Sequence, residues 1–403
     1  MNPILEYLEQ HQQEMLADLK TFVCTETPST DKQRLDEFSA FLRQYAENLG
    51  GQVEVIPASE NGNHLRIKWG MSENDGLGEQ ESMNNKGGLG DRQGMSEETP
   101  SKQLLIVGHF DTVWAAGTLG AMPFAVDADG RVSGPGVFDM KGGLVQGFWA
   151  IRALREVTGK VPPLVFICNS DEEIGSHSSR AVIEEEAKKS TAAFILESSM
   201  DGDLKTARKG VGIYHIEVEG KAAHAGLDPL AGISAIDELA RQVLFLHEQT
   251  DLTVGTTVNV GIISGGTRSN VTAPYASAEV DVRIVSAAEA GRMDDLMMGL
   301  SAYHPGAMVK VSGGINRPPM ERTEATGQLF AVAREAAAEL GFDVDEVAVG
   351  GGSDGNFCAA VGTPVLDGLG PVGGGAHAVH EHLLASEMPK RAALLAELIQ
   401  RLG

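Results

Sequence analysis

Three almost wholly apolar runs, QLLIVGHF (103–110), PLVFICNS (163–170) and AAFILES (192–198), each give way to ionisable side chains. Strands that are apolar along their whole length have no wet face, so they belong in a sheet covered by helices on both sides. MKGGLVQGFWAIRALREV (140–157) reads as a buried helix and SSRAVIEEEAKK (178–189) as a second one, between and after these strands. QVEVI (52–56) and HLRIKW (64–69) add two earlier strands. Strands alternating with helices predict an α/β fold.

With 403 residues the chain exceeds what one core usually supports. From about Lys209 the pattern changes to strand 212–220, helix 234–249, strands 257–266 and 276–285, helix 290–303 and strand 308–313. That order is the split βαβ of ferredoxin-like units. The expected division is therefore a first domain of 1–207 and 317–403, with 208–316 inserted into it. Helix 326–341, strand 345–350 and a last helix over 385–402 complete the first domain. Between 71 and 102 the sequence is polar and glycine-rich without periodicity; it reads as a surface insertion, with an active-site lid as the alternative.

A formal charge of -24 disfavours a phosphate-backbone partner, so nucleic acid is not expected. No apolar run reaches the roughly 20 residues of a membrane span. MNPILEYLEQHQQEMLADLK reads as an amphipathic helix, not a signal peptide. Cys24, Cys168 and Cys358 lie far apart and suit reduced, mostly buried thiols. The expectation is a soluble, cytoplasmic protein without a membrane partner.

The chemistry sits at the strand ends. In GHFDTV, His109 and Asp111 are two apart and face one side of an extended segment, so one can ligate a cation while the other orients the ring. Alone, the pair is an ordinary surface-loop pattern; the apolar strand before it changes that. Asp139 in GPGVFDMKGG lies at a strand-to-helix turn, where a carboxylate serves equally as a helix cap or as a bridge between cations. Asp171, Glu172 and Glu173 form a carboxylate cluster at a core's mouth, costly unless solvated or neutralised. One of the two glutamates would hold metal and the other water. Glu197 ends AAFILES, and the glycines of GPVGGGAHAVHEHL let His377 approach a site closely, with His380 and His382 as competing choices. Such a set of hard and borderline ligands suits zinc.

These segments resemble, in order, those of the zinc-dependent exopeptidases and deacylases. That family includes glutamate carboxypeptidase, aminoacylase, acetylornithine deacetylase and succinyl-diaminopimelate desuccinylase, and the chain is most like the first. GHFDTV, GPGVFDMKGG, NSDEEIGS, KAAHAG (221–226), SGGTRSNVTAP (264–274), DVR (281–283), GGGSDGN (350–356) and GGGAHAVHE (373–381) carry the likeness along almost the whole chain. The resemblance implies a zinc-exopeptidase-like catalytic domain, a mixed sheet covered by helices, with an inserted ferredoxin-like α+β dimerisation domain. It implies two Zn2+ per subunit, with Co2+ or Mn2+ as substitutes. Asp139 would bridge them, His109 and Glu197 would hold one, and Glu173 and His377 the other. Glu172 would be the general base, Asp111 the partner of His109, and His224 an oxyanion donor reaching a partner subunit's site in a homodimer. Asn270 and Arg283 would bind the substrate's carboxylate, with Arg317 and the Gly351, Gly352, Ser353 loop binding substrate nearby. The Asp139–Met140 peptide is expected to be cis.

The expected activity is hydrolysis of an amide or peptide bond beside a free carboxylate, in a small peptide or N-acyl amino acid, releasing a C-terminal residue such as glutamate. The alternatives are an N-acyl-amino-acid deacylase, a non-catalytic binder of amino-acid derivatives and an aminopeptidase.

Overall fold

The computed structural model describes residues 2–71 and 103–403; apart from Met71, the 71–102 insertion lies outside the described residues. The chain forms two compact units, Met1–Thr206 with Thr323–Val347 and Val361–Gly403, and Ala207–Arg322 with Ala348–Ala360.

The first unit is built on a six-stranded mixed sheet in the order Gln52–Ile56, His64–Trp69, Leu164–Asn169, Gln103–His109, Ser190–Ile195, Val365–Leu366. Every residue of Gln103–His109 and of Leu164–Asn169 is buried, so neither face of these strands is wet. Helices Gly142–Thr158 and Arg180–Lys189 both pack on Gln103–His109, and Met388–Leu402 packs on Gly142–Thr158. Phe148, Phe166, Phe194 and Leu394 are fully enclosed there. Truncating one such phenylalanine to alanine costs about 3–5 kcal/mol, so these side chains fix the layers. Gly143 permits the contact between the buried helix and the sheet, since a Cβ there would lie 2.0 Å from the Leu196 carbonyl oxygen. The helix stops at Gly159, whose φ of 76° is the left-handed conformation that closes a helix C-terminus.

Parallel pairing sets the chemistry's position. His109 lies opposite Asn169, and Val107 opposite Ile195, so the residues following three strands emerge side by side at their carboxyl ends. Ligands of open α/β sheets bind at that edge.

The second unit has a four-stranded antiparallel sheet in the order Thr257–Gly265, Tyr275–Ile284, Gly210–Glu219, Met308–Arg317. Alternate residues of Gly210–Glu219 and Tyr275–Ile284 are buried, as one-sided sheets require. Helices Ala235–His247 and Ala287–Met298 supply that face, each begun by a serine, Ser234 or Ser286, whose hydroxyl accepts an N–H of the first turn. Tyr214, Ile216, Val280, Val282, Met293 and Met297 form a core of its own.

Three features depart from the sequence reading. The N-terminal amphipathic segment is two helices, Pro3–Gln10 and Gln12–Cys24, and Lys32–Asn48 is a further helix. A small antiparallel sheet joins Ala125–Val126, Arg131–Ser133, His382–Leu384 and Gly373–Gly374. The second unit also takes in 348–360, where Asn356 Nδ2 donates to the carbonyls of Lys209 (3.2 Å) and Pro318 (2.7 Å).

Candidate metal centre

His109 closes its strand with the ring fully buried, and Nδ1 lies 3.0 Å from the Asp111 carbonyl oxygen, within hydrogen-bond distance. With Nδ1 as donor, Nε2 is left to act as a lone-pair ligand. It stands 3.3 Å from Asp139 Oδ1 and 3.5 Å from Glu197 Oε1. Asp139 turns its other oxygen to His377, 3.3 Å from Nε2, and the same nitrogen is 3.1 Å from Glu173 Oε2. Two groups thus share one carboxylate: His109, Asp139 and Glu197, and Asp139, Glu173 and His377, the ligand atoms of each lying within 4.8 Å of one another. His377, not His380 or His382, is the histidine of its segment in these groups. It has a φ of 59°, and Gly375, two residues before it, is also left-handed. The Asp139–Met140 peptide is cis.

Asp111 is wholly buried and connects both halves of the site. Oδ2 accepts from Ser29 Oγ (2.8 Å) and Glu173 N (3.2 Å), while Oδ1 accepts from Glu172 N (3.2 Å). Asp171 supports the same turn, accepting from the hydroxyls of Ser178 (2.7 Å) and Ser179 (2.6 Å). Glu172 is half-buried on that turn, beside Glu173.

The electrostatics ask for positive charge. Hydrogen bonds to Asp139 and Glu173 raise the His377 pKa to about 10. Burial opposes a charge on His109, but the carboxylates of Asp111, Asp139 and Glu197 around its ring drive it well above the usual imidazole range. Burial and the Asp139 charge push Glu173 up to about 7, with His377 opposing them. Burial alone would also raise Asp139, yet both imidazoles hold it well below the carboxylate range. Two histidines and three carboxylates form the oxygen and nitrogen set zinc takes, and among the described residues His109 Nε2 and Glu173 Oε1 are buried without a hydrogen bond. The residues fit a pair of divalent cations.

The remaining candidates belong to the second unit. His224 Nδ1 accepts the backbone N–H of Gly226 and Leu227, both at 3.1 Å, and its segment is held against Asn270, whose carbonyl accepts from Ala225 N at 3.0 Å. Arg317 ends its strand buried, its guanidinium 4.9 Å above the Phe357 ring and 3.5 Å from Asp354 Oδ1. The Gly351 and Gly352 carbonyls accept from Arg208 at 3.1 and 3.3 Å, and Ser353 Oγ accepts from Gly355 N at 3.0 Å. Arg283 makes a two-pronged pair with Asp281, both contacts 2.8 Å. Its fork is already engaged by a carboxylate, two residues away on the same strand face.

Sequence reasoning passed over Glu381, buried between two histidines. Oε2 accepts from Trp114 Nε1 (2.8 Å) and Gly136 N (3.0 Å), Oε1 from Phe138 N (2.9 Å) and Asp139 N (3.1 Å). Its HEH setting reads as a solvated loop, and only its place four residues beyond His377 pointed towards the site.

An α/β sheet with such a ligand set at its carboxyl edge is the architecture of a metal-dependent hydrolase. The chain belongs to peptidase family M20/M25/M40, whose sequence profile matches residues 105–401. It is 32% identical over 318 residues to carboxypeptidase G2 of Pseudomonas sp. (strain RS-16), covering 75% of this chain and 74% of that protein. It is 28% identical over 306 residues to succinyl-diaminopimelate desuccinylase of Ectopseudomonas mendocina (strain ymp), covering 71% and 79%. The fold is that of the aminopeptidase PepT from Bacillus cereus (TM-score 0.74, 21% identity, 97% and 98% covered). It is also that of an M20 family metallo-carboxypeptidase from Sulfolobus solfataricus (TM-score 0.69, 16% identity, 96% and 99% covered). Among the described residues no helix is long and apolar enough to cross a membrane.

Proposed function

We propose that this hydrolase is a di-zinc carboxypeptidase, which cleaves the amide bond beside a free carboxylate and releases a C-terminal amino acid such as glutamate from a small peptide or N-acyl amino acid. The observation that carries the reading is the pair of ligand groups sharing Asp139, in a chain 32% identical to a carboxypeptidase over 75% of its length. His109 and Glu197 would hold one zinc ion and Glu173 and His377 the other, with Asp139 between them. When bound, the ions supply Lewis acidity towards the scissile carbonyl and acidify water at neutral pH.

Glu172 takes the proton of the attacking water and delivers it to the leaving nitrogen. Asp111 fixes the neighbouring backbone, through its bonds from Glu172 N and Glu173 N, so that the base stands steady while Glu173 ligates. His224 is the oxyanion donor. Its Nδ1 is occupied as an acceptor, so a neutral ring carries its proton on Nε2, the free donor that a developing negative charge needs. In a homodimer formed through the second unit, His224 would serve the partner subunit's site.

Asn270, Arg317 and the Gly351–Ser353 turn recognise the substrate's carboxylate. Arg283 joins them only by exchanging Asp281 for the substrate, since its fork already pairs with a carboxylate. Three cysteines without a disulfide suit a cytoplasmic setting.

The test is a panel of N-acyl-glutamate, dipeptides and N-acetyl-ornithine on zinc-loaded protein, before and after chelation. The reading expects chelator-sensitive release of the C-terminal residue, with Glu172→Gln keeping its metal and losing hydrolysis. Preference for N-acetyl-ornithine would favour deacylation, and full activity of Glu172→Gln would remove the assigned base.

A further inference from the structure

The turn Gly136–Asp139 sends three backbone N–H groups, from Gly136, Phe138 and Asp139, onto the carboxylate of Glu381, and Trp114 adds its indole N–H. Successive N–H groups converging in this way form a concave site for an anion. Here the anion is supplied by the chain itself. Gly136 has a φ of 70°, and a Cβ there would meet Thr112 Cγ2 at 2.4 Å, so the turn is tightly enclosed. Glu381 in turn closes the loop that carries His377: Ala378 N donates to Gly375 O and Glu381 N to Ala378 O, each at 2.9 Å. One buried carboxylate therefore ties the backbone of Asp139, common to both ligand groups, to the loop of His377.

We propose that Glu381 is a positioning residue for the cation pair, setting the separation of Asp139 and His377 before any cation arrives. The proposal rests on the di-metal reading above. Free, the three N–H groups would need another acceptor and the turn would move to find one; Asp139 Oδ2 and His377 Nε2, now 3.3 Å apart, would lose their common anchor. Glutamine at 381 keeps the shape, yet turns a two-hydrogen donor towards N–H groups that need acceptors.

The experiment is a zinc titration of metal-free wild type, Glu381→Gln and Trp114→Phe, followed by calorimetry and by the rise in Tm that saturating zinc produces. Glu381→Gln is expected to bind zinc at least about tenfold more weakly, as loss of an orienting group does, and to show a smaller zinc-induced rise. Trp114→Phe removes one donor and leaves the turn held, so its zinc-induced rise should stay near that of wild type. A purely structural role would lower Tm with and without zinc by the same amount and leave the affinity unchanged; that result overturns the proposal. An equal loss in Trp114→Phe would also overturn it, by moving the effect to the indole. If wild type itself gains no stability from zinc, the di-metal reading fails, an outcome distinct from a normal wild type beside an unaffected variant. Should Glu381→Gln not fold, hydrogen exchange of the wild type decides. The amides of Gly136, Phe138 and Asp139 should be protected in metal-free protein, and exchange at the rate of open loops would refute prior anchoring.

Discussion

Replacing Asp111 with asparagine perturbs the site without replacing an expected ligand, although Oδ1 also stands 3.4 Å from His109 Nδ1. The carboxylate accepts three hydrogen bonds, from Ser29 Oγ, Glu172 N and Glu173 N, and is shielded from water. Asparagine retains one acceptor oxygen. The least costly arrangement puts that oxygen on Glu172 N and the amide nitrogen at the Oδ2 position, where the Ser29 hydroxyl can rotate to accept and Glu173 N cannot. One buried N–H is left facing a donor, at a cost of about 1–3 kcal/mol, and the surviving bond loses its charge. If that cost is borne wholly by the ordered, loaded form, zinc affinity falls by about 5- to 140-fold, at 1.4 kcal/mol per decade. Competition with a chromophoric chelator measures the affinity, and circular dichroism checks that the variant is folded. Affinity and kcat/KM both within twofold of wild type would show that the Glu172–Glu173 turn does not depend on Asp111.

Protons compete with the cations, because the His377 pKa is raised to about 10 and that of Glu173 to about 7 in the metal-free site. At pH 7 zinc binding should therefore release protons, and the apparent affinity should rise as pH is raised from 6 to 8; calorimetry in buffers of different ionisation enthalpy reads the count, and zero release contradicts the assignment. Gln146, within helix Gly142–Thr158, is buried with neither amide atom hydrogen-bonded among the described residues. Gln146→Met keeps the volume and removes the unsatisfied groups, so Tm should rise by a few degrees, corresponding to about 1–2 kcal/mol; a lower Tm would show that the amide is held.

The grouping of the five candidate side chains was legible because each member follows an apolar segment or a glycine-rich turn, and because parallel register brings the strand ends together. His109 beside Asn169 explains why Asp111 reaches the backbone of Glu172 and Glu173, a contact that neither segment discloses alone. The β-α-β-β-α-β order of the second unit was equally plain, since its strands alternate and its helices carry serine caps. Helix Lys32–Asn48 escaped because polar residues outnumber its buried Leu35, Phe38, Leu42 and Ala46. The small sheet escaped because strands of two or three residues are too short for alternation to register. Glu381 was invisible for a different reason: its burial comes from Trp114 and the Gly136–Asp139 turn, more than two hundred residues earlier in the chain. The pairing of Arg283 with Asp281 could have been read from their spacing of two along a strand.

The account turns on whether five side chains scattered between positions 109 and 377 enclose two cations with Asp139 between them. Anomalous diffraction at the zinc edge from zinc-loaded crystals tests this directly. Two peaks are expected, one bounded by His109 and Glu197, the other by Glu173 and His377, each within bonding distance of an Asp139 oxygen. A single peak, or peaks away from Asp139, would contradict it.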